Sequence, residues 1–213
     1  MGKVSIPKYT LGEELVNSIS HGLGAGLAIA ALVLLIIKAS SAIGVVTGVI
    51  YASIMIFLYF VSCIYHALSP KLKGKKVFRV LDHCNVLLMV AGTYTPICLS
   101  MLGGTLGWTV FGIVWGVTVL AVVFNCINIE KYKKLCLACN LLLGWAALLI
   151  IKPLINACPL HGLFLLVGGG VVYSIGAILY GIGKKKRYIH SVFHFFVIGA
   201  SILHFFMIYL YVV

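Results

Sequence analysis

Long apolar runs separated by short, mostly basic interruptions dominate the chain. Seven of these runs are long enough to cross a bilayer: Ser18–Lys38, Ile43–His66, Phe78–Met101, Thr105–Asn125, Leu135–Ile151, Leu160–Gly183 and His190–Val213. The fifth is the shortest and is closed by Lys152–Pro153. Hydrocarbon offers backbone amides no water, so such segments cross as helices, whose hydrogen bonds are internal. The pattern predicts an all-α membrane protein with seven transmembrane helices. It reads as one integral membrane domain over residues 1–213, with residues 1–17 lying outside the bilayer. No soluble domain and no low-complexity segment is expected.

Composition agrees. Hydrophobic residues make up 62% of the chain and charged residues 9%, against about 25% charged in a soluble domain. The opening MGKVSIPKYTLGEELVNS is too polar for the apolar stretch of a cleavable signal, and Ile6 departs from a myristoylation pattern. Location in the cell membrane (plasma or inner), as a multi-pass protein, is expected.

A formal net charge of +12 raises the question of nucleic acid, and the placement of the charges answers it. Lys3 and Lys8 precede the first run. Lys71, Lys73, Lys75, Lys76 and Arg79 separate the second from the third. Lys131, Lys133 and Lys134 follow the fourth, and Lys184, Lys185, Lys186 and Arg187 follow the sixth. Only Lys38 and Lys152, of 16 basic residues, fall on the other side. By the positive-inside rule the N-terminus is cytoplasmic and the C-terminus outside. The basic clusters anchor topology, docking of anionic lipid heads being the lesser reading. Membrane lipids are the expected partners, nucleic acid is not, and oligomeric state is not legible.

This topology assigns a depth to every polar residue. Ser62 and His66 end the second span at the cytoplasmic surface. Asp82 lies in the first turns of the third, and His190 and His194 in the first turns of the seventh. Residues four apart on a helix share a face, so Ser62/His66 and His190/His194 each present one edge. Three imidazoles beside a carboxylate and a hydroxyl suit a tetrahedral Zn2+ site with the fourth position left to water. Asp82, the chain's one aspartate, would serve as base or orienter of that water, with Ser62 in support. The bland alternatives are an Arg79–Asp82 ion pair at i,i+3 and histidines that act as hydrogen-bonding glue between helices.

The remaining histidines rank lower. His204 is ten residues, about 15 Å, beyond His194, and His161 opens the sixth span at the opposite face. His21 shares a stripe with Glu14 and Asn17, and His83 adjoins Asp82 though it points about 100° away; both are candidates for supporting contacts. The seven cysteines, Cys136-x-x-Cys139 included, lie mostly within spans and read as packing rather than as a disulfide framework or metal knuckle. Gly22/Gly26, Gly44/Gly48, Gly103/Gly107 and Gly112/Gly116 are spaced for close helix packing. Pro96 is expected to kink the third helix.

Taken together, SCIYH (Ser62–His66), LDH (Leu81–His83), HSVFH (His190–His194), GEELVNSISHGLG and AGTYTP resemble the bacterial hemolysin III proteins. These belong to the progestin and adipoQ receptor family and to the wider superfamily that includes alkaline ceramidases. The resemblance covers nearly the whole chain. It implies that His66, His190 and His194 ligate zinc, with Asp82 and Ser62 around the metal-bound water. It favours a zinc-dependent hydrolase acting on a lipid amide or ester. A non-catalytic sensor or membrane-homeostasis factor with structural zinc is the alternative. A hemolysin, cytolysin or channel is disfavoured, because a secreted pore-former needs a soluble state and the polar residues cluster at one end.

Overall fold

The computed structural model describes residues 4–183 and 186–213. The expectations resting on Lys3, Lys184 and Lys185, and on the acylation pattern at Met1–Gly2, lie outside the described residues. α1 (Leu11–Lys38) begins where the Thr10 hydroxyl accepts from the Glu13 amide and the Glu13 carboxylate accepts from the Thr10 amide, a reciprocal capping box. The helix thus starts seven residues before the apolar run and carries Glu14 and Asn17 into the bundle. α2 (Ala42–Ala67) is capped by the Ser41 hydroxyl. α3 (Lys73–Pro96) also starts ahead of its apolar run, with Lys75 and Arg79 buried. α6 (Leu160–Gly183) and α7 (Ile189–Tyr211) complete the ends of the bundle.

α4 (Gly104–Trp145) spans 42 residues, but Asn128 has φ −160° and ψ 94°, outside the helical region. A straight helix would separate Ala121 from Cys136 by about 22 Å. Instead the Cys136 thiol lies 3.4 Å from the Ala121 carbonyl, and the Phe124 and Tyr132 rings are 4.9 Å apart. Val114 and Leu143 share one apolar cluster. The chain therefore doubles back at Asn128, so residues 104–127 and 129–145 form two facing arms. A 3₁₀ turn (Ala146–Ile150) and α5 (Ile151–Ala157) follow. Six helical stretches among the described residues are long and apolar enough to cross a membrane, and the fourth of them, Gly104–Ala157, is this folded unit.

α3 is the most enclosed of the six, with 61% of its apolar window buried against 22% for Gly104–Ala157 and for α6. A core of Leu35, Tyr51, Met55, Leu58, Met207 and Ile208 joins α1, α2 and α7. Pro96 is the last residue of α3. The helix passes into a π-helical turn, Ile97–Leu102, which absorbs the missing N–H. It ends at Gly103 and Gly104, whose φ of 61° and 54° favour glycine.

The glycine stripes divide. A Cβ on Gly107 would lie 2.1 Å from the Cys98 carbonyl oxygen, whereas Gly26, Gly112 and Gly116 face nothing within 4 Å. The latter are not packing contacts within this chain. Gly107→Ala is expected to cost about 1–3 kcal/mol through backbone overpacking. Gly112→Ala should be neutral or stabilising by up to about 1 kcal/mol from helix propensity. Thermal unfolding of the two variants in detergent measures the contrast.

Candidate metal centre

The last turn of α2 and the first turns of α7 meet beside the start of α1. His66, His190 and His194 are all buried there, at 2%, 7% and 1% exposure. α7 is held in place by its own entry: Tyr188 takes a left-handed φ of 61°, and its amide donates to Glu13 Oε1 at 2.8 Å. Each of the three histidines offers a ring nitrogen within 4.8 Å of the other two. The Nε2 atoms of His190 and His194 are 3.2 Å apart. Nitrogens bound at about 2.0–2.1 Å to one tetrahedral zinc would be about 3.3 Å apart.

The surroundings of His66 fit the same purpose. Its Nδ1 lies 2.6 Å from Glu14 Oε2, so Nδ1 carries the proton and donates to the carboxylate. Asn17 Nδ2 is 3.4 Å from the same nitrogen. Nε2 is then a lone pair, buried and without a hydrogen-bond partner. Carboxylate–imidazole pairs of this kind set the tautomer and ring angle of metal-bound histidines. The His66, His190 and His194 cluster can hold a metal ion.

Glu14 is itself shared. Its Oε1 accepts from Lys75 Nζ at 2.5 Å, and Lys75, fully buried, also donates to the Leu68 carbonyl at 2.8 Å and lies over the Tyr65 ring. Sequence reasoning placed Glu14 on the right stripe but did not pair it with His66, and it treated Lys75 as a topology anchor. The signal it passed over was the distance of Glu14 from any basic residue on its own helix, the nearest being Lys38, which leaves it to be paired across helices.

The other expected residues fall in different positions. Asp82 is half-buried and does not pair with Arg79; His83 Nδ1 lies 3.6 Å from its Oδ2. Arg79 instead donates to Glu130 Oε1 at 2.6 Å and to the Ser5 carbonyl. Glu130 lies just past the reversal at Asn128, which brings a carboxylate to Arg79 that sequence spacing could not reveal. The i,i+3 ion pair is therefore not formed. Ser62 is buried one turn before His66 and lines neither cavity described below. His21 packs its ring centroid 3.8 Å from that of His194 and edge-on to Tyr59. His83 bonds the Arg79 carbonyl and the Tyr180 hydroxyl, at 3.0 and 3.1 Å. His204 bonds the Leu166 carbonyl, far along α7. All seven cysteines are free; Cys136 and Cys139 pack in one apolar cluster, and the Cys84 and Cys126 sulfurs lie 3.9 Å apart.

Two cavities meet beside His190. An apolar one of about 300 Å3 runs between α3, the second arm of α4, α6 and α7, from His190 to Leu154 and His204. A polar one of about 680 Å3 lies under the N-terminal segment. They share Asp82, His83, Lys133, Tyr180 and His190. Tyr9 roofs this neck, stacked on His190 at 4.9 Å and 17°. Burial, with Tyr180 and Asp82 nearby, pushes the Tyr9 phenol well above its ordinary range, so it stays neutral.

Among the described residues, six helices apolar enough to cross a membrane, with buried histidines from two of them gathered at one end, define a multi-pass membrane protein with a histidine cluster that could hold a metal ion. The haemolysin-III related family model matches residues 9–205, and the chain belongs to that family. It is 39% identical over 203 residues to "Hemolysin-3" of Bacillus cereus, covering 94% of this chain and 92% of that protein. It is 38% identical over 208 residues to "Hemolysin-3 homolog" of Bacillus subtilis (strain 168), covering 96% and 97%. More distantly, it is 25% identical over 177 residues to the human "Monocyte to macrophage differentiation factor", covering 78% and 70%. That similarity supports the wider progestin and adipoQ receptor family.

Proposed function

We propose that this protein is a zinc-dependent intramembrane hydrolase acting on a lipid amide or ester at the cytoplasmic face. The observation that carries the reading is that His190, one of the three clustered histidines, lines both a polar cavity and an apolar cavity. In this reading the two arms that meet at Asn128 cross separately. The chain then makes seven crossings, with its N-terminus and basic loops in the cytoplasm. His66, His190 and His194 hold the ion. Zinc, when bound, supplies a Lewis acid for the carbonyl and acidifies water.

The chain's own residues supply the rest. The apolar cavity takes the acyl chain and brings its carbonyl to the neck. Asp82, facing both cavities and unpaired with Arg79, takes a proton as water adds to the carbonyl carbon, and returns it to the leaving nitrogen or oxygen. Ser62 acts from beneath as a packing support of His66, and His21 buttresses His194. Asp82→Asn is expected to lower turnover of a lipid amide or ester by about 10²–10⁴-fold, with zinc content of the purified protein unchanged. Zinc-replete wild-type protein that turns over no lipid of either type would overturn the hydrolase reading.

The burial of all three histidines favours a second reading, in which zinc only staples helix ends in a sensor or homeostasis factor. There, metal removal lowers stability and Asp82→Asn changes nothing measurable. The Bacillus relatives are named for hemolysis. A direct pore finds no support in a polar cluster confined to one end of the bundle.

A further inference from the structure

The polar cavity is cationic. Lys8, Arg79, Lys133, Lys186 and Arg187 line it, with Glu13, Asp82 and Glu130 as its acids. The acids are largely committed. Glu13 accepts from Thr10 and from the Tyr188 amide, and Glu130 accepts from Ser5, Arg79 and Lys133. Among the described residues Lys8, Lys186 and Arg187 have no carboxylate at ion-pairing distance. Arg79, only 7% exposed, keeps a buried Nε with no hydrogen-bond partner. Positive charge is therefore concentrated around a concave site that His190 also lines, with Lys8, Lys186 and Arg187 exposed at its edge. The loop lysines Lys71, Lys73 and Lys76 are exposed and line neither cavity, so leaflet anchoring accounts for them and not for this site.

We propose that the polar cavity binds the anionic head group, phosphate or carboxylate, of a single lipid whose acyl chain occupies the apolar cavity. This deepens the hydrolase reading and rests on it for the reaction, though not for the binding. The shared neck of Asp82, His83, Lys133, Tyr180 and His190 is where polar and apolar parts of one amphiphile would meet. A lipid whose head is a lone hydroxyl would leave the cationic cavity unmatched.

The test uses full-length protein in uncharged detergent and fluorescent-chain lysophosphatidic acid. Lysophosphatidylcholine with the same chain and inorganic phosphate serve as competitors. Lysophosphatidic acid should bind about tenfold or more tightly than the zwitterionic lipid. The variant Lys8→Ala/Lys186→Ala/Arg187→Ala should erase that preference, and Lys71→Ala/Lys73→Ala should keep it. Ala177→Phe, which narrows the apolar cavity, should weaken both lipids. Equal binding of the two lipids, equal loss in both lysine variants, or full competition by phosphate alone would each overturn the inference. Chelator-treated protein should retain the preference. Preference without any turnover would remove the hydrolase reading alone, and turnover indifferent to head-group charge would remove this inference alone.

Discussion

Glu14→Ala should destabilise the protein by about 3–5 kcal/mol, because it strands a fully buried ammonium. Lys75 has no exposure, and its charge is met by Glu14 at 2.5 Å. Removing one partner of a buried pair leaves an uncompensated charge, which costs far more than the pair itself contributes. Replacing both partners by apolar groups is often nearly neutral, so Glu14→Ala/Lys75→Met should recover most of the loss in thermal unfolding. Metal affinity should not recover. His66 Nδ1 would have lost the carboxylate that sets its tautomer, and losses of an orienting partner typically weaken metal binding about 10–100-fold. A double variant that restores metal affinity along with stability would show that Glu14 serves Lys75 alone.

His194→Ala should abolish metal-dependent stabilisation. A ligand that binds only the folded state adds about 2.7 kcal/mol at one hundred times its dissociation constant. Returning zinc to chelator-stripped wild-type protein should raise the unfolding temperature accordingly, and His194→Ala should show no rise and no retained metal. His204→Ala is the matched control. His204 is also a buried histidine of α7 and is bonded to the Leu166 carbonyl. It lies about 15 Å further along the helix, so its loss should lower baseline stability while keeping the zinc increment. An equal increment in His194→Ala would remove that residue from the metal set.

What the sequence discloses here is governed by direction and period. Helices long enough to cross a bilayer are visible as apolar runs, and alternate crossings send chain ends to alternate faces. That is why His66 at the end of α2 and His190 and His194 at the start of α7 could be placed together without coordinates. The reversal at Asn128 was legible as the basic interruption between the fourth and fifth runs. Contacts between polar groups on different helices were not. Glu14 meets His66 and Lys75, and Glu130 meets Arg79, through helix rotation and tilt that no spacing encodes. Helix starts were misjudged for a related reason. Capping at Thr10 extends α1, and charges paired inside the bundle extend α3, past the hydropathy edge. Gly112 and Gly116 have the spacing of a packing face but no neighbour inside the chain.

Glu130 also explains how Asp82 can remain unpaired three residues from a guanidinium on its own helix. By engaging Arg79 from across the bundle, it acts as a rival acceptor that spares the aspartate from neutralisation by its own neighbour. The carboxylate proposed as the base thus depends on an acid 48 positions further along the chain. If Asp82 is that base, damage at the distant point would silence it with every histidine still in place.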